Sequence, residues 1–216
     1  MAKKAPDKII GDFGYTDKPI EYVQVVGIFD LVGFSSHKSN DDLVAAVSYM
    51  DTRIKLGLGD TYFWGDRTRG GWEAERNQVL MRSTGDGYVV AFSHDIIDFD
   101  SFQKLLKIYQ GISKSHKVNL GINKGHNYVV TDVNSLVNII GWGINYAARA
   151  LQFAKNGQII CTEHFAKSYL KTYGDEILEK EMVVIGRQKI KEARIELYNY
   201  HRYGEFGAPI AKGQIK

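Results

Sequence analysis

The sequence predicts an α+β fold in which helices pack on a largely antiparallel sheet. Segments with the two-residue period of strands are interleaved with segments of helical spacing, and the clearest connection between strands is a hairpin, not a strand–helix–strand crossover. The 216 residues, of which 44% are hydrophobic, suffice for one domain with a sizeable core. We expect this domain to span residues 21–203, between an N-terminal extension over 1–20 and a loose C-terminal tail over 204–216.

Composition excludes several classes of protein. Lys and Arg number 28 against 25 Asp and Glu, with no long basic run, so no nucleic-acid partner is expected. Cys161 is the only cysteine, which excludes an intrachain disulfide framework and a multi-cysteine metal site. Residues 1–8 lack the apolar region of a secretory signal, and no apolar stretch approaches ~18 residues. We therefore expect a cytoplasmic protein without a membrane partner.

The first elements follow from a change of period. A run of β-branched and aromatic residues predicts a buried strand over 22–29, which stops at Asp30. Asn40 or Asp41 can cap the helix that follows. The apolar residues of this helix recur three or four positions apart, on one face: Leu43, Val44, Val47, Met50 and Ile54. Residues 57–75, rich in glycine and aromatic residues, are too irregular for a tight connection and predict a functional loop or an insertion.

A hairpin and a helix come next. Two strands, 78–83 and 88–93, flank Thr84-Gly85-Asp86-Gly87, whose Asp-Gly step is a strong hairpin signal. Helical spacing returns over 99–115. A strand is then predicted over 118–123, with a second hairpin arm around 128–131.

The remainder closes the domain. The composition of residues 143–155 predicts a helix that stops at Asn156-Gly157, a good C-terminal signal. Three more strands are expected, at 158–161, 182–185 and 193–200. With its hairpins, this order favours the antiparallel sheet stated above.

Two aspartates stand out because each lies at a strand end beside glycine. Asp30 ends an apolar strand, and Asp86 lies at the hairpin tip between two glycines, which allow another group to approach the backbone closely. Alone, each is more typical of a solvated turn. If their strands are neighbours, the two carboxylates converge at one sheet edge and repel each other unless a cation such as Mg²⁺ or Mn²⁺ bridges them.

A third feature is the segment 141–149, Gly-Trp-Gly-Ile-Asn-Tyr-Ala-Ala-Arg. Asn145 and Arg149 are four residues apart and share one face of a helix. An amide and a guanidinium so placed can grip a ribose and a phosphate, because the guanidinium fork matches phosphate oxygens. An ordinary surface pair beside a small-residue packing face is the simpler alternative.

These three pieces, in this order, resemble the catalytic domain of class III nucleotidyl cyclases. The family pattern has an Asp-x-x-Gly-Phe-Ser/Thr turn, a Gly-Asp-Gly hairpin and an Asn-x-Ala-Ala/Ser-Arg helix, matched here at 30–35, 85–87 and 145–149. Residues 121–125, Gly-Ile-Asn-Lys-Gly, stand where the family usually has Gly-Ile-His-x-Gly. The resemblance covers about residues 21–200 and implies a ferredoxin-type core.

By this resemblance, Asp30 and Asp86 bind two divalent cations, Mn²⁺ or Mg²⁺, with the Leu31 carbonyl as a further ligand. Asn145 orients the ribose and Arg149 stabilises the transferring phosphate. The implied reaction is attack of the ribose 3′-hydroxyl on the α-phosphorus of a nucleoside triphosphate, giving the 3′,5′-cyclic monophosphate and pyrophosphate. The cations make the hydroxyl more acidic and neutralise charge on the attacking and leaving oxygens.

Further phosphate contacts and a dimer are also implied. The backbone of the segment after Leu31 would cradle the triphosphate: Val32, Gly33 and Phe34. Lys189 or Lys191 could supply a lysine that the family carries on its C-terminal hairpin. Family members work as head-to-tail dimers in which one chain gives the metal aspartates and the other gives the Asn and Arg. Because all four residues occur here, a homodimer with two equivalent sites is implied.

Two departures from the adenylate cyclase pattern concern the base. Four positions before Asp86 stands Arg82, where adenylate cyclases carry Lys, and seven before Asn145 stands Asn138, where they carry Asp. Arg82 offers only donors and Asn138 offers one carbonyl and one amide, which suits the two carbonyls and the N3–H of uracil. Cytosine would place its amino donor against another donor, whereas the O6 acceptor of guanine keeps GTP open. Alternatively, Arg82 points to solvent or to a phosphate.

A short stand-alone cyclase with these substitutions resembles the bacterial pyrimidine cyclases of the Pycsar antiphage system, which make cyclic UMP or cyclic CMP for a cell-killing effector. The base positions favour the uridylate branch, with UTP as substrate and a separate cyclic-nucleotide-responsive effector as partner. The alternatives are a cytidylate or adenylate cyclase, a domain that binds a nucleotide without turnover, and an RNA-binding module with Tyr88 as a stacking platform. Near-neutral charge and the lack of a ribonucleoprotein motif argue against RNA binding.

Overall fold

A computed structural model describes residues 21–34, 39–59, 79–93, 98–131, 137–190, 193–202 and 205–210. Along them, strands and helices follow in the order β1 Glu21–Leu31, α1 Asn40–Leu58, β2 Val79–Ser83, β3 Gly87–Phe92, α2 Asp98–Ser113, β4 Val118–Thr131, β5 Val137–Gly141, α3 Trp142–Phe153, β6 Ile159–Thr162, α4 Glu163–Tyr173, α5 Glu176–Glu181, β7 Met182–Ile190 and β8 Ala193–Tyr200. The predicted N-terminal extension, 1–20, and most of the predicted loop 57–75 lie outside the described residues.

The strands form one sheet with the order β2-β3-β1-β4-β6-β8-β7, and β5 pairs with β4 beside this path. Among the described strands, β4 and β6 are the one parallel pair, and the remaining neighbours are antiparallel. The predicted α+β fold with a largely antiparallel sheet is therefore confirmed. The hairpin predicted at 84–87 is also confirmed, since β2 and β3 pair across it.

The two faces of the sheet carry different helices. Side chains alternate between the faces along each strand, so Phe29 packs with α1, α2 and α4, whereas its neighbour Ile28 lies on the face that carries α3. The first face holds the larger aromatic cluster, in which the rings of Phe102 and Tyr200 meet edge to face with centroids 5.0 Å apart. On the second face, the small residues of α3 let that helix lie close to the strands.

The first helix differs from the prediction at both ends. Its cap is Ser39, not Asn40 or Asp41: the Ser39 Oγ accepts a hydrogen bond from the Asp42 amide at 3.2 Å, as a short hydroxyl at this position commonly does. The helix continues to Leu58, so the first two residues of the predicted loop 57–75 are helical. It stops at Gly59, whose φ of +61° leaves the helical region.

The region around residue 125 also corrects the prediction. Residues 118–123 and 128–131 are not two separate hairpin arms but parts of one continuous strand, β4, and the hairpin partner is β5. Gly125 is typical of a turn, yet here it permits close packing, since a Cβ on it would lie 3.1 Å from the Gly143 Cα of α3. A glycine inside a strand can thus mark a close approach of backbones instead of a reversal.

The end of the chain and two helices complete the fold. Helices α4 and α5, between β6 and β7, were not among the predicted elements. Residues 205–210, part of the predicted tail 204–216, contact the sheet: the Pro209 carbonyl accepts from Gln158 Nε2 at 2.9 Å and the Ala208 carbonyl from Asn199 Nδ2 at 3.1 Å. In the described part of the chain, no helix has the length and apolar character needed to cross a membrane.

Candidate active site

Asp30 and Asp86 lie side by side at one end of the sheet. Asp30 is the next-to-last residue of β1, where its Cα pairs with that of Gly87 in β3. Asp86 precedes Gly87 in the turn between β2 and β3, and its carbonyl oxygen accepts a hydrogen bond from the Leu31 amide at 3.1 Å. The prediction that the two aspartates belong to neighbouring strands is confirmed.

The surroundings of this pair disfavour the ionised form of both carboxyl groups at once. Burial raises the pKa of the Asp30 carboxyl above its ordinary value, and the nearby Asp86 carboxylate adds to the increase. Both effects disfavour two ionised carboxylates at one place, and a divalent cation between them would offset both. Among the described residues, no third His, Cys, Asp or Glu joins the pair. Two carboxylates and a backbone carbonyl still fit Mg²⁺ or Mn²⁺, which commonly take one or two carboxylates and complete their coordination with substrate phosphates and water.

The glycines on either side of Asp86 are required for two different reasons. Gly85 adopts a φ of +99°, which favours glycine over any residue with a side chain. At Gly87, a Cβ would overlap the Phe29 carbonyl oxygen. The turn itself is closed by the Thr84 amide, which donates to the Gly87 carbonyl at 2.9 Å. The Gly-Asp-Gly sequence therefore brings the hairpin tip against β1 at the level of Asp30.

The turn that follows β1 is anchored on both sides. The Val32 amide donates to the Lys117 carbonyl at 2.9 Å, and the Phe34 side chain packs against the main core. Between them, Gly33 is exposed and has a φ of +78°. The three residues predicted to cradle phosphates thus form a tight turn immediately after the aspartate of β1.

Helix α3 carries Asn145 and Arg149 on its exposed side. Its buried side holds Ala147 and Ala150, both fully inaccessible to solvent, and lies against Gly121 of β4. A Cβ on Gly121 would overlap the Ala147 carbonyl oxygen, so the close packing of helix and strand requires glycine there. The small residues that suggested a mere packing face do pack, and the polar pair occupies the opposite side.

A cleft of about 530 Å³ connects these parts within one chain. Its polar lining consists of Asp30, Thr84, Asp86 and Asn145. The remaining lining is apolar: Ile28, Phe29, Val89, Ile139, Ile140, Gly141, Ile144, Ala148 and Leu151. An apolar cleft with a few convergent polar groups is typical of small-molecule sites. Among the predicted catalytic and metal-binding side chains, the structure therefore brings Asp30, Asp86 and Asn145 to one cleft.

Arg149 stands apart from that cleft. It lies one turn beyond Asn145, is exposed, and its Nη1 donates to Gln152 Oε1 at 3.0 Å. Arg149 is not among the described residues that line the cleft. Its guanidinium therefore faces outward from a single chain.

The two predicted base-reading residues lie on strands that flank the cleft. Arg82 of β2 is half-buried and paired with Val89, a cleft residue, so it occupies the cleft face of the sheet. Asn138 of β5 is half-buried, and its Oδ1 accepts from the Ile139 amide at 2.9 Å. Neither is among the described residues that line the cleft of one chain.

The predicted phosphate lysines are distant from the aspartates in a single chain. Lys189 is exposed on β7, opposite Arg194 of β8. Three strands separate β7 from β1, which at the usual strand spacing is roughly 19 Å. Lys191 lies outside the described residues. One chain alone does not bring Lys189 to Asp30.

Three buried asparagines on β4 were not among the predicted site residues, and we name them the asparagine row: Asn119, Asn123 and Asn127. They recur every fourth residue and therefore lie on one face of the strand, the face toward α3. Their exposed fractions are 9%, 0% and 0%. Asparagine is disfavoured inside strands, so three of them at a regular interval were the signal available in the sequence.

No protein-family model matches this sequence, and no curated protein matches it either. Solved structures do match in fold. The catalytic core of a rhodopsin-guanylyl cyclase with converted specificity, in complex with ATPalphaS, aligns with a TM-score of 0.64 at 16% identity, covering 87% of this chain and all of that one. The adenylyl cyclase CyaB from P. aeruginosa aligns with a TM-score of 0.63 at 15% identity, covering 88% of this chain and all of its own.

A third structure, an adenylate/guanylate cyclase/hydrolase from Silicibacter pomeroyi, aligns with a TM-score of 0.61 at 16% identity over 85% of this chain and 98% of that one. All three similarities span nearly the whole of the compared chain. The protein has the fold of class III adenylyl and guanylyl cyclase catalytic domains.

Proposed function

We propose that this protein is a nucleotidyl cyclase that converts a nucleoside triphosphate, with UTP favoured, to the 3′,5′-cyclic monophosphate and pyrophosphate. The observation that carries the proposal is the pairing of Asp30 with Asp86 at a cleft whose other wall presents Asn145, on a fold shared with cyclase domains. Solved structures of that fold include complexes with ATPalphaS and with GTP.

Asp30, Asp86 and the Leu31 carbonyl would hold two divalent cations, Mn²⁺ or Mg²⁺. Such ions, when bound, supply Lewis acidity that favours loss of the 3′-hydroxyl proton and neutralises phosphate charge. The turn of Val32, Gly33 and Phe34 lies beside this site, and the backbone of a turn with a positive-φ glycine suits a phosphate anion. The triphosphate would therefore lie between the end of β1 and the hairpin tip.

Asn145 and Arg149 supply the other half of the chemistry. The Asn145 amide would hold the ribose, so that the 3′-hydroxyl stays in line with the α-phosphorus. Arg149 would exchange its hydrogen bond to Gln152 for the phosphate oxygens on which negative charge builds up, because a guanidinium matches them in shape and charge. Lys189 or Lys191 would add a further positive charge.

The placement of these groups supports a head-to-tail homodimer. In one chain, Arg149 faces outward and Lys189 is roughly 19 Å from β1 by strand spacing, so neither meets Asp30 of the same chain. Asn145 of the same chain also lines the cleft, but a second copy related by a two-fold axis would bring its own Asn145, Arg149 and lysine to the aspartates and would form two equivalent sites.

The base positions support UTP. Arg82 only donates, and uracil offers two carbonyl acceptors. Asn138 Oδ1 accepts the Ile139 amide, and a carbonyl oxygen has a second lone pair that would accept the uracil N3–H. A cytosine amino group would face another donor, and unpaired buried donors discriminate strongly.

In the cell, we propose that the product is a second messenger in antiphage defence, read by a separate cyclic-nucleotide-responsive effector. The test is to infect cells that carry the wild-type gene or its Asp86→Asn variant and to measure cyclic nucleotides and survival. A rise in cyclic UMP with protection in the wild type alone supports this role. Equal protection by both genes contradicts it.

The biochemical test uses the purified protein with Mn²⁺ and each of ATP, GTP, CTP and UTP in separate reactions, with products identified against cyclic nucleotide standards. Cyclic UMP as the main product supports both the reaction and the choice of base. Cyclic AMP or cyclic CMP keeps the reaction but overturns the base argument. No cyclic product from any of the four, with RNA bound instead, contradicts the proposal.

A further inference from the structure

The asparagine row runs beneath α3 from its start to its exit. Asn127 and Asn123 lie under the first turn of the helix, and Asn119 lies under the loop that follows it. Buried amides are costly unless they are hydrogen-bonded. Each amide of the row therefore needs hydrogen-bond partners within the fold.

Asn127 takes the place of a helix cap. Its Oδ1 accepts from the Ile144 amide at 2.8 Å, and its Nδ2 donates to the Gly125 carbonyl at 3.3 Å. Helix α3 has no cap of its own, because its cap position is Gly141 and its first turn holds no acidic residue. The first amides of a helix need such an acceptor, and here a neighbouring strand provides it.

Asn123 contacts the same turn as a hydrogen-bond donor, whereas Asn127 contacts it as an acceptor. Its Nδ2 donates to the Gly143 carbonyl at 2.9 Å, while its Oδ1 accepts from Thr162 Oγ1 at 2.5 Å. Thr162 is fully buried, and its hydroxyl, together with the Gly143 carbonyl, which can only accept, orients the amide so that Nδ2 faces the helix. Helix and strand lie close together at this point, since a Cβ on Gly143 would lie 2.8 Å from the Asn127 Cγ.

Asn119 ties the far end. Its Oδ1 accepts from the Gly157 amide at 2.9 Å, just beyond the helix, where Asn156 has a φ of +51°. The row thus contacts the backbone of the first turn of α3 and of the loop that follows the helix. Such contacts fix the position of the helix along β4, a direction in which apolar packing alone specifies little.

We propose that Asn123 and Asn127 are positioning residues: they set the position of α3 along β4 and so place Asn145 and Arg149 for catalysis. This inference rests on the proposed function. Asn145 directly follows the residue whose amide Asn127 holds, so a shift of the first turn moves the ribose contact with it. A misplacement of about 1 Å can cost roughly 100-fold in rate.

The test compares two pairs of variants. Asn127→Ala removes the acceptor, whereas Asn127→Asp keeps an oxygen in reach of the Ile144 amide. Thr162→Val removes the hydroxyl that orients Asn123, whereas Thr162→Ser keeps it. Neither Asn127 nor Thr162 is assigned a contact with the nucleotide.

For each variant, kcat and KM are measured per mole of folded protein, and amide hydrogen exchange is followed in α3. We expect Asn127→Ala and Thr162→Val to lower kcat by roughly 10- to 100-fold with little change in KM. Amide exchange should become faster only at the start of α3. The two conservative variants should recover most of the rate.

A purely structural role predicts that activity falls only with the folded fraction, so an unchanged kcat per folded molecule overturns the inference. If the wild type itself makes no cyclic nucleotide, the proposed function fails, and hydrogen exchange decides the positioning role separately. Unaltered exchange at Ile144 in Asn127→Ala would then overturn that role as well.

Discussion

The Leu31 amide donates a hydrogen bond of 3.1 Å to the Asp86 carbonyl oxygen. This contact ties the last residue of β1 to the tip of the β2–β3 hairpin. It leaves the Asp86 side chain next to that of Asp30, and the neighbouring carboxylate adds to the burial that raises the Asp30 pKa. A geometry that stabilises the backbone here creates an electrostatic cost in the side chains, as is common at functional sites.

Neutralising either aspartate should separate activity from stability. We expect Asp30→Asn or Asp86→Asn to lower kcat by more than about 100-fold, because a direct metal ligand matters more than a residue that only orients one. The melting temperature without metal should stay level or rise, since the repulsion is removed. Asp51→Asn is the control: Asp51 lies on α1, on the other face of the sheet, paired with Lys55 at 2.6 Å. Equal losses in all three variants would contradict a specific role for the pair.

Complementation tests the shared site. A chain with Asp30→Ala and a chain with Arg149→Ala should each be inactive, but an equimolar mixture should regain about a quarter of wild-type activity, because half of the dimers are mixed and each of these holds one intact site. The rate is measured after the chains have been unfolded and refolded together. A mixture as inactive as its components would mean that the four residues act within one chain.

The contact of α3 with β4 predicts a sharp difference between two glycines. A Cβ on Gly121 would overlap the Ala147 carbonyl oxygen and lie 2.6 Å from the Leu151 amide. Gly121→Ala should therefore destabilise the protein by about 1–3 kcal/mol. In Gly111→Ala, the new Cβ would meet only the Arg53 side chain at 3.5 Å, and helix α2 should gain about 0.5–1 kcal/mol. Urea unfolding measures both, and equal effects would refute the packing argument.

The single cysteine should not react with thiol reagents in the folded protein. Cys161 is fully buried, and burial raises the pKa of its thiol well above the ordinary value. Because the thiolate is the reactive form, a thiol reagent should fail to label it at mildly alkaline pH and should label it once denaturant is added. Rapid labelling without denaturant would show that β6 is accessible to solvent.

Much of the fold could be predicted from the sequence because its signals are local. The strand before Asp30 and the hairpin at Asp86 each depend on a few adjacent residues. The end of α3 was predicted two residues too late, at 155 instead of Phe153. The pairing of β1 with β3, which brings Asp30 beside Asp86, joins segments that are far apart in the sequence and was expected from the resemblance to the cyclase family. This pairing places both aspartates, with Asn145, at one cleft.

What was missed depends on contacts between distant segments. Gly121 and Gly125 are required by helix α3, not by a turn, so the strand through them was predicted as two pieces. The asparagine row was not recognised because most of its partners lie in α3, in β6 and in the loop between them, 17 to 39 positions away. The cap of α1 fell on Ser39, one residue before the predicted candidates, because three polar residues in succession offer equivalent signals.

The most direct measurement follows UTP and Mn²⁺ with the wild-type protein and Asp86→Asn, and quantifies cyclic UMP and pyrophosphate in the same reaction. We expect the wild type to release the two products in equal amounts and the variant to release neither. Uridine diphosphate and inorganic phosphate in place of these products, or equal turnover by the variant, would contradict cyclisation at the Asp30–Asp86 site.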